Sequence, residues 1–274
     1  KWLHRCFLLP GNWLPIYGTD ARRGILPLGN GGALELECVV SDFFGNSSVA
    51  KIRLVQGKES PPTASPAAFD YQLRPQDSLR VRRPGFEVFL TSGSVYETVG
   101  LNYRAHPPQG ATPERHQFGS GQIPLHHAIS VGILPDPAMD AAQRSKAVIM
   151  LNGTKSLGGV WRNGWLWTQT HFLGQFSIGT DVNAPTVSPA GKFKDHPRVK
   201  ERLVLHGSDD LSGLRDYHAY LDGEWMLMEY DQKTATLILP FENPLEKGMH
   251  QVCVEVTDQV GNQGEWSGVF EVTE

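Results

Sequence analysis

The chain has 274 residues with 29 acidic and 25 basic side chains, a net charge of −4, and its basic residues gather on no single segment, which excludes the electrostatic footprint of a nucleic-acid binder. No apolar run reaches the roughly twenty residues that a membrane-spanning helix needs. With 29 glycines and 19 prolines breaking up short runs of Val, Leu, Thr and aromatics, the turn density excludes long helices and predicts an all-β chain of many short strands.

The chain opens at Lys1 with KWLHRCFLLPGNWLP, which lacks the charged start and apolar core of a cleavable leader and already reads as strand. This suggests a piece of a longer protein. LHRCFLL, WLPIY, GILPL, ALELECVV and SVAKIRLV are strand candidates, with Gly11-Asn12 and Asn30-Gly31-Gly32 supplying turn residues. Residues 1–57 are too few for a whole sandwich, so an immunoglobulin-like domain truncated at its start is expected there. Three cysteines rule out a disulfide framework as the main staple. Cys6 and Cys38 could pair within this segment, and Cys253 reads as a plain thiol.

Two Pro-rich stretches, GKESPPTASPAA (residues 57–68) and GTDVNAPTVSPAG (residues 179–191), divide the chain. Between them, residues 69–178 predict a middle β-sandwich with strands GFEVFL, SVYETVGLNY, HAISVGIL, KAVIML and GQFSI; DPAMDAAQRSK is the one helix-like stretch. Residues 182–274 predict a complete C-terminal immunoglobulin-like sandwich from RLVLHGSDDLSGL, DYHAYLDGEWMLMEYD, ATLILPF and HQVCVEVTD. Tandem immunoglobulin-like β-sandwiches are the expected architecture.

One phrase recurs. VVSDFFGNSSVAKIRLV near the start and VEVTDQVGNQGEWSGVFEV at the end both read apolar run, Asp-x-x-Gly-Asn, alternating run. Aligning Asp42 with Asp258 sets Leu36, Cys38 and Val40 against Val252, Val254 and Val256, each alternating as a half-buried strand. The Asp carboxylate can accept from nearby amides, while Gly45 and Asn46, or Gly261 and Asn262, tolerate left-handed backbone. The shared grammar is a final sandwich hairpin used twice.

The most suggestive local feature is VWRNGWLWTQTHF. Asn163-Gly164 predicts a two-residue hairpin with Arg162 facing Trp165 and Trp161 facing Leu166. Parity then puts Leu166, Phe172, Phe176 and Ile178 in the core and Trp165, Trp167, Gln169 and His171 outside, a stacking platform for sugar rings or a partner protein. Inter-domain packing is the competing reading. His126-His127 is read as two neighbours pointing to opposite faces of a strand, so the ten histidines predict no metal site. Asp209-Asp210, Asp258 and Asn262 offer oxygen ligands to calcium, but without a full coordination loop turn capping is favoured. There is no G-x-S-x-G, Cys253 has no evident activating partner, and GNGGA precedes a strand and opens no helix. No catalytic residue is assigned.

SDDLSGLRDYHAYLDGEWMLMEYDQKTATL and KGMHQVCVEVTDQVGN resemble the last immunoglobulin-like domain of the large secreted lysostaphin-type (LytM-type) zinc metallopeptidases of Bacteroidota. RCFLLPGNWLPIY, RGIL and VVSDFFGNSS look like the sandwich that follows their peptidase domain, and NGWLWTQTHFLGQFSIGTDVNAPTVSP resembles their middle-to-last junction. The resemblance implies a periplasmic or cell-envelope protein whose zinc would be held by an H-x-x-x-D and an H-x-H in a peptidase domain before Lys1. This chain has no H-x-H, and His206 to Asp210 and His218 to Asp222 match H-x-x-x-D by letters alone. The implied partners are that upstream domain, peptidoglycan and envelope proteins, with no cofactor in residues 1–274 and no nucleic acid. The function expected is a non-catalytic accessory region of a peptidoglycan metallo-endopeptidase; the alternative is a glycan-binding or adhesion array.

Overall fold

The computed structural model describes residues 33–55, 68–110, 112–190, 202–241 and 245–272. The strands expected before Ala33, Cys6 with its pairing to Cys38, and most of the first Pro-rich stretch lie outside the described residues. The chain divides into two compact units, Lys1–Ala68 and Phe69–Glu274.

In the first unit, β1 (Ala33–Ser41) and β2 (Ser47–Val55) form an antiparallel hairpin in which Ser41 faces Ser47 and Ala33 faces Val55. Leu36 is half-buried, but Cys38, a free thiol, and Val40 are exposed, contrary to the expected alternation. Among the described residues β1 pairs only with β2.

The second unit holds two cores. Its strands are β3 (Tyr71–Leu73), β4 (Leu79–Arg83), β5 (Phe86–Leu90), β6 (Val99–Leu101), β7 (Tyr103–His106), β8 (Arg115–Phe118), β9 (Ile129–Ile133), β10 (Ala147–Leu151), β11 (Lys155–Ser156), β12 (Val160–Arg162), β13 (Trp165–Thr170) and β14 (Gly174–Thr180), then β15 (Thr186–Pro189), β16 (Arg202–Ser208), β17 (Leu214–Leu221), β18 (Glu224–Met226), β19 (Glu229–Asp231), β20 (Thr236–Pro240), β21 (Gly248–Asp258) and β22 (Gln263–Val272). The single described helix, α1 (Ala141–Ser145), is one turn with a capping box between Asp140 and Gln143.

Sheets β11-β10-β14-β8-β7 and β12-β13-β9-β5-β4, with the separate pair β3-β6, make the first sandwich. Alternation builds its core. Phe86, Val88 and Leu90 of β5 and Ile129 and Val131 of β9 are fully buried and meet Phe118, Ile149 and Phe176 of the opposite sheet. Sheets β15-β16-β20-β19 and β18-β17-β21-β22 make the second sandwich, four strands against four. Leu205, Leu237 and Leu239 there pack with Val252, Val254, Val256 and Phe270.

Three local expectations change. Phe172 is 47% exposed, because β13 ends at Thr170 and the turn, tied by the Phe172 N–H to Thr170 Oγ1, hands the buried place to Leu173. Lys155 Nζ lies 4.2 Å from the Phe172 ring centroid instead. His126 and His127 sit in a bend, not a strand, so their rings come together with centroids 4.5 Å apart. SVYETVGLNY is no continuous strand: Val95 makes one bridge to Leu125, and pairing resumes only at Val99.

Among the described buried polar side chains, His116 is the one imidazole. His116 is 1% exposed, stacks on Phe86 with ring centroids 4.9 Å apart, and its Nδ1 lies 2.9 Å from the Tyr103 hydroxyl. Burial lowers its pKa from 6.5 to about 4, so the folded ring stays neutral while the unfolded chain takes up a proton below about pH 6.5. Stability from this group is therefore full above pH 6.5 and falls by about 3 kcal/mol as pH drops toward 4. His116→Phe, which keeps the stacked ring, is expected to flatten that slope in denaturant titrations at stepped pH.

Candidate functional site

The outward face of sheet β12-β13-β9-β5-β4 gathers aromatic, amide, hydroxyl and charged side chains. Asn163 and Gly164 take φ of 50° and 80°, the left-handed pair a tight hairpin needs, and set Arg162 opposite Trp165 and Val160 opposite Trp167. Antiparallel register then carries two rows across the sheet. The first runs Val160, Trp167, Gly132, Glu87, Arg82, and the second runs Gln169, Ser130, Phe89, Arg80.

Each row has a physical logic. A β-carbon on Gly132 would come within 2.8 Å of the Trp167 ring, so the missing side chain lets the indole lie down across β9. Trp165 lies beside it with ring centroids 6.1 Å apart. Glu87 is gripped by Arg80 and, at 3.4 Å, by Arg82, and the Arg80 guanidinium lies 6.0 Å from the Phe89 centroid. A shallow groove of about 360 Å³ runs beside Trp167, bordered by Val160, Arg162, Gln169 and Ser130. Flat aromatic surface next to amide, hydroxyl and guanidinium groups suits a polar ligand with an apolar face. Trp165, Trp167 and Gln169 thus share one surface, whereas His171 is exposed in the bend beyond the end of β13. Gly132, Ser130, Phe89 and the arginines escape a reading of β13 alone, because only cross-strand register brings them there.

The two Asp-x-x-Gly-Asn corners share one set of bonds. At the first, Asp42 Oδ1 accepts from the Phe44 and Asn46 N–H groups, and Asn46 Nδ2 donates to Oδ2 at 2.8 Å. At the second, Asp258 Oδ1 accepts from Val260 and Asn262, and Asn262 Nδ2 donates to Oδ2 at 2.6 Å. Gly45 and Gly261 take φ of 86° and 82°. Their surroundings differ: Asp42 is exposed and Asp258 is fully buried. The second corner also joins the two sandwiches, since Asn262 Nδ2 donates to the Asp181 carbonyl at 2.9 Å and Lys146 Nζ donates to the Val260 carbonyl at 3.0 Å. The Ser212 N–H donates to Asp181 Oδ2 at 2.9 Å.

The remaining candidates are engaged locally. His206 Nδ1 lies 2.8 Å from the Ala235 carbonyl, and Asp222 pairs with His250 at 2.6 Å, so neither lettered H-x-x-x-D brings its own two residues together. Cys253 is half-buried with Sγ 3.5 Å from Glu265, and burial pushes its thiol above the ordinary range, away from a reactive thiolate.

Two substitutions test this geometry. Gly132→Ala forces the Trp167 indole off the sheet and is expected to cost about 1–3 kcal/mol with a red-shifted Trp emission. Asn262→Ala is expected to cost about 2 kcal/mol by stranding buried acceptors, against about 0.5 kcal/mol or less for Asn46→Ala at the exposed corner, both read from calorimetric melts of the full chain.

Residues 70–181 match the family model of the Zu5-like domain, a span that coincides with the first sandwich of the second unit and covers less than half of the chain. None of the curated proteins matches the chain.

Proposed function

We propose that these residues form the non-catalytic accessory region of a cell-envelope peptidoglycan metallo-endopeptidase and that they position or regulate a zinc peptidase domain encoded before Lys1. The observation that carries this reading is the junction: side-chain bonds from Lys146, Asn262 and Asp181 tie the two sandwiches into one arm, and an arm holds a neighbouring domain at a set distance from a wall only if its joints do not swing. The residue patterns SDDLSGL, LDGEW and MEYD, which resemble the last domain of lysostaphin-type peptidases, support the parentage. The periplasm or envelope, peptidoglycan and envelope proteins belong to the same proposal.

The Trp165, Trp167 and Gln169 face favours a second reading, a glycan-binding or adhesion array that works through this surface alone. A ring stacked on the indoles and hydrogen-bonded to Gln169 or Arg162 would need no upstream enzyme.

The coding sequence before Lys1 separates the two. An H-x-x-x-D followed by an H-x-H is expected there, and the full polypeptide is expected to cleave muropeptides in the presence of zinc while residues 1–274 alone do not. Cleavage by residues 1–274, or an unrelated upstream domain, would refute the accessory reading. In pull-downs on sacculi and wall polysaccharides, a drop of roughly tenfold or more for Trp165→Ala and Trp167→Ala supports glycan recognition, and no binding by the wild type removes it.

A further inference from the structure

Three chain segments bring a carboxylate to one place where the sandwiches meet. Asp181 follows β14, Asp209 follows β16 and Asp258 ends β21, and one oxygen from each lies within 4.8 Å of the others. Asp181 is 1% exposed and Asp258 is fully buried. Like charges this close in a desolvated site repel strongly unless something positive sits among them. No ion pair of the described residues reaches any of the three, and Lys146 Nζ donates to the Val260 carbonyl.

Turn capping accounts for only part of the arrangement. Asp258 is satisfied through both oxygens by Val260 and Asn262. Asp209 uses Oδ2 alone, accepting from the Leu211 and Gly213 N–H groups at 3.0 and 2.7 Å, and Asp181 uses Oδ2 alone, accepting from Ser212. Asp181 Oδ1, Asp209 Oδ1 and Ser212 Oγ are shut away from solvent with no hydrogen-bond partner. A bare buried carboxylate oxygen is among the costliest groups a fold can carry, and here two belong to the same three-carboxylate cluster.

We propose that this junction binds one calcium ion through Asp181, Asp209 and Asp258, and that the ion fastens the two sandwiches together. An all-oxygen donor set selects a hard cation over zinc or copper. Donors drawn from three separate turns suit the looser geometry of calcium better than the near-ideal octahedron that magnesium demands. Asp209 also lines a cleft of about 260 Å³ with Asn183, Thr186 and Ser208. Asp181 comes from the strand end of the first sandwich and the other two from the second, so binding and inter-sandwich rigidity are linked. This inference stands without the peptidase reading.

The test uses the full chain, stripped with EDTA and dialysed, in calorimetric titrations with CaCl₂ and MgCl₂. One calcium per chain is expected, with a rise of roughly 5 °C in the melting transition of the second unit once calcium exceeds its Kd about a hundredfold. Asp209→Asn and Asp181→Asn each keep a capping oxygen, and each is expected to weaken calcium at least tenfold while melting in EDTA no lower than the wild type, because a repulsion has been removed. No heat and no thermal shift with calcium at about 10 mM, well above the ~10⁻⁴–10⁻³ M of weak extracellular sites, would overturn the proposal. So would an unchanged calcium response in a folded Asp209→Asn or Asp181→Asn chain, or magnesium binding as tightly as calcium.

Discussion

The second unit depends on the burial of polar groups at one corner, where Asp258, Asn262 and Asp181 meet. Each sandwich closes its own apolar core, around Phe86 and Phe176 in one and Val254 and Phe270 in the other, and neither core crosses the boundary. Apolar contact is indifferent to direction, so two closed cores in contact would be free to slide. Hydrogen bonds are not indifferent. The Asn262 amide reaches Asp258 and the Asp181 carbonyl together, and that double donation holds only over a narrow range of angles.

That constraint shapes what the molecule can do. Carboxylates and an amide converge in the joint, and aromatics lie on an open sheet face. A joint that holds its angle turns the outer face of β12-β13-β9-β5-β4 into a surface with a fixed direction. The joint sets where the face points, and the rows through Trp167 and Gln169 set which side chains it presents.

Local grammar was legible in the amino-acid sequence wherever one segment carried the whole signal. Asn163-Gly164 announced its hairpin and register, and the Asp42 and Asp258 corners announced matching turns because donor and acceptor lie within five consecutive residues. Alternation in GFEVFL and VCVEV identified core strands because the pleat alone dictates which side chains turn inward. What escaped was non-local. Asp181 sits in a linker-like GTDVNAP stretch, and nothing in those residues says that Asp209 and Asp258 await it. Gly132 reads as a weak point in a strand until Trp167 is laid across it. Phe172 followed a parity that the chain had already abandoned two residues after β13 ended, at the turn that also carries His171.

The central claim is that residues 69–274 behave as one body. Residual dipolar couplings from amides of both sandwiches in the full chain measure this most directly, because they report orientation without reference to contacts. A single alignment tensor that fits β4 to β14 and β15 to β22 together is the predicted result. Two tensors of different magnitude, one for each sandwich, would mean that the joint swings and would contradict the account.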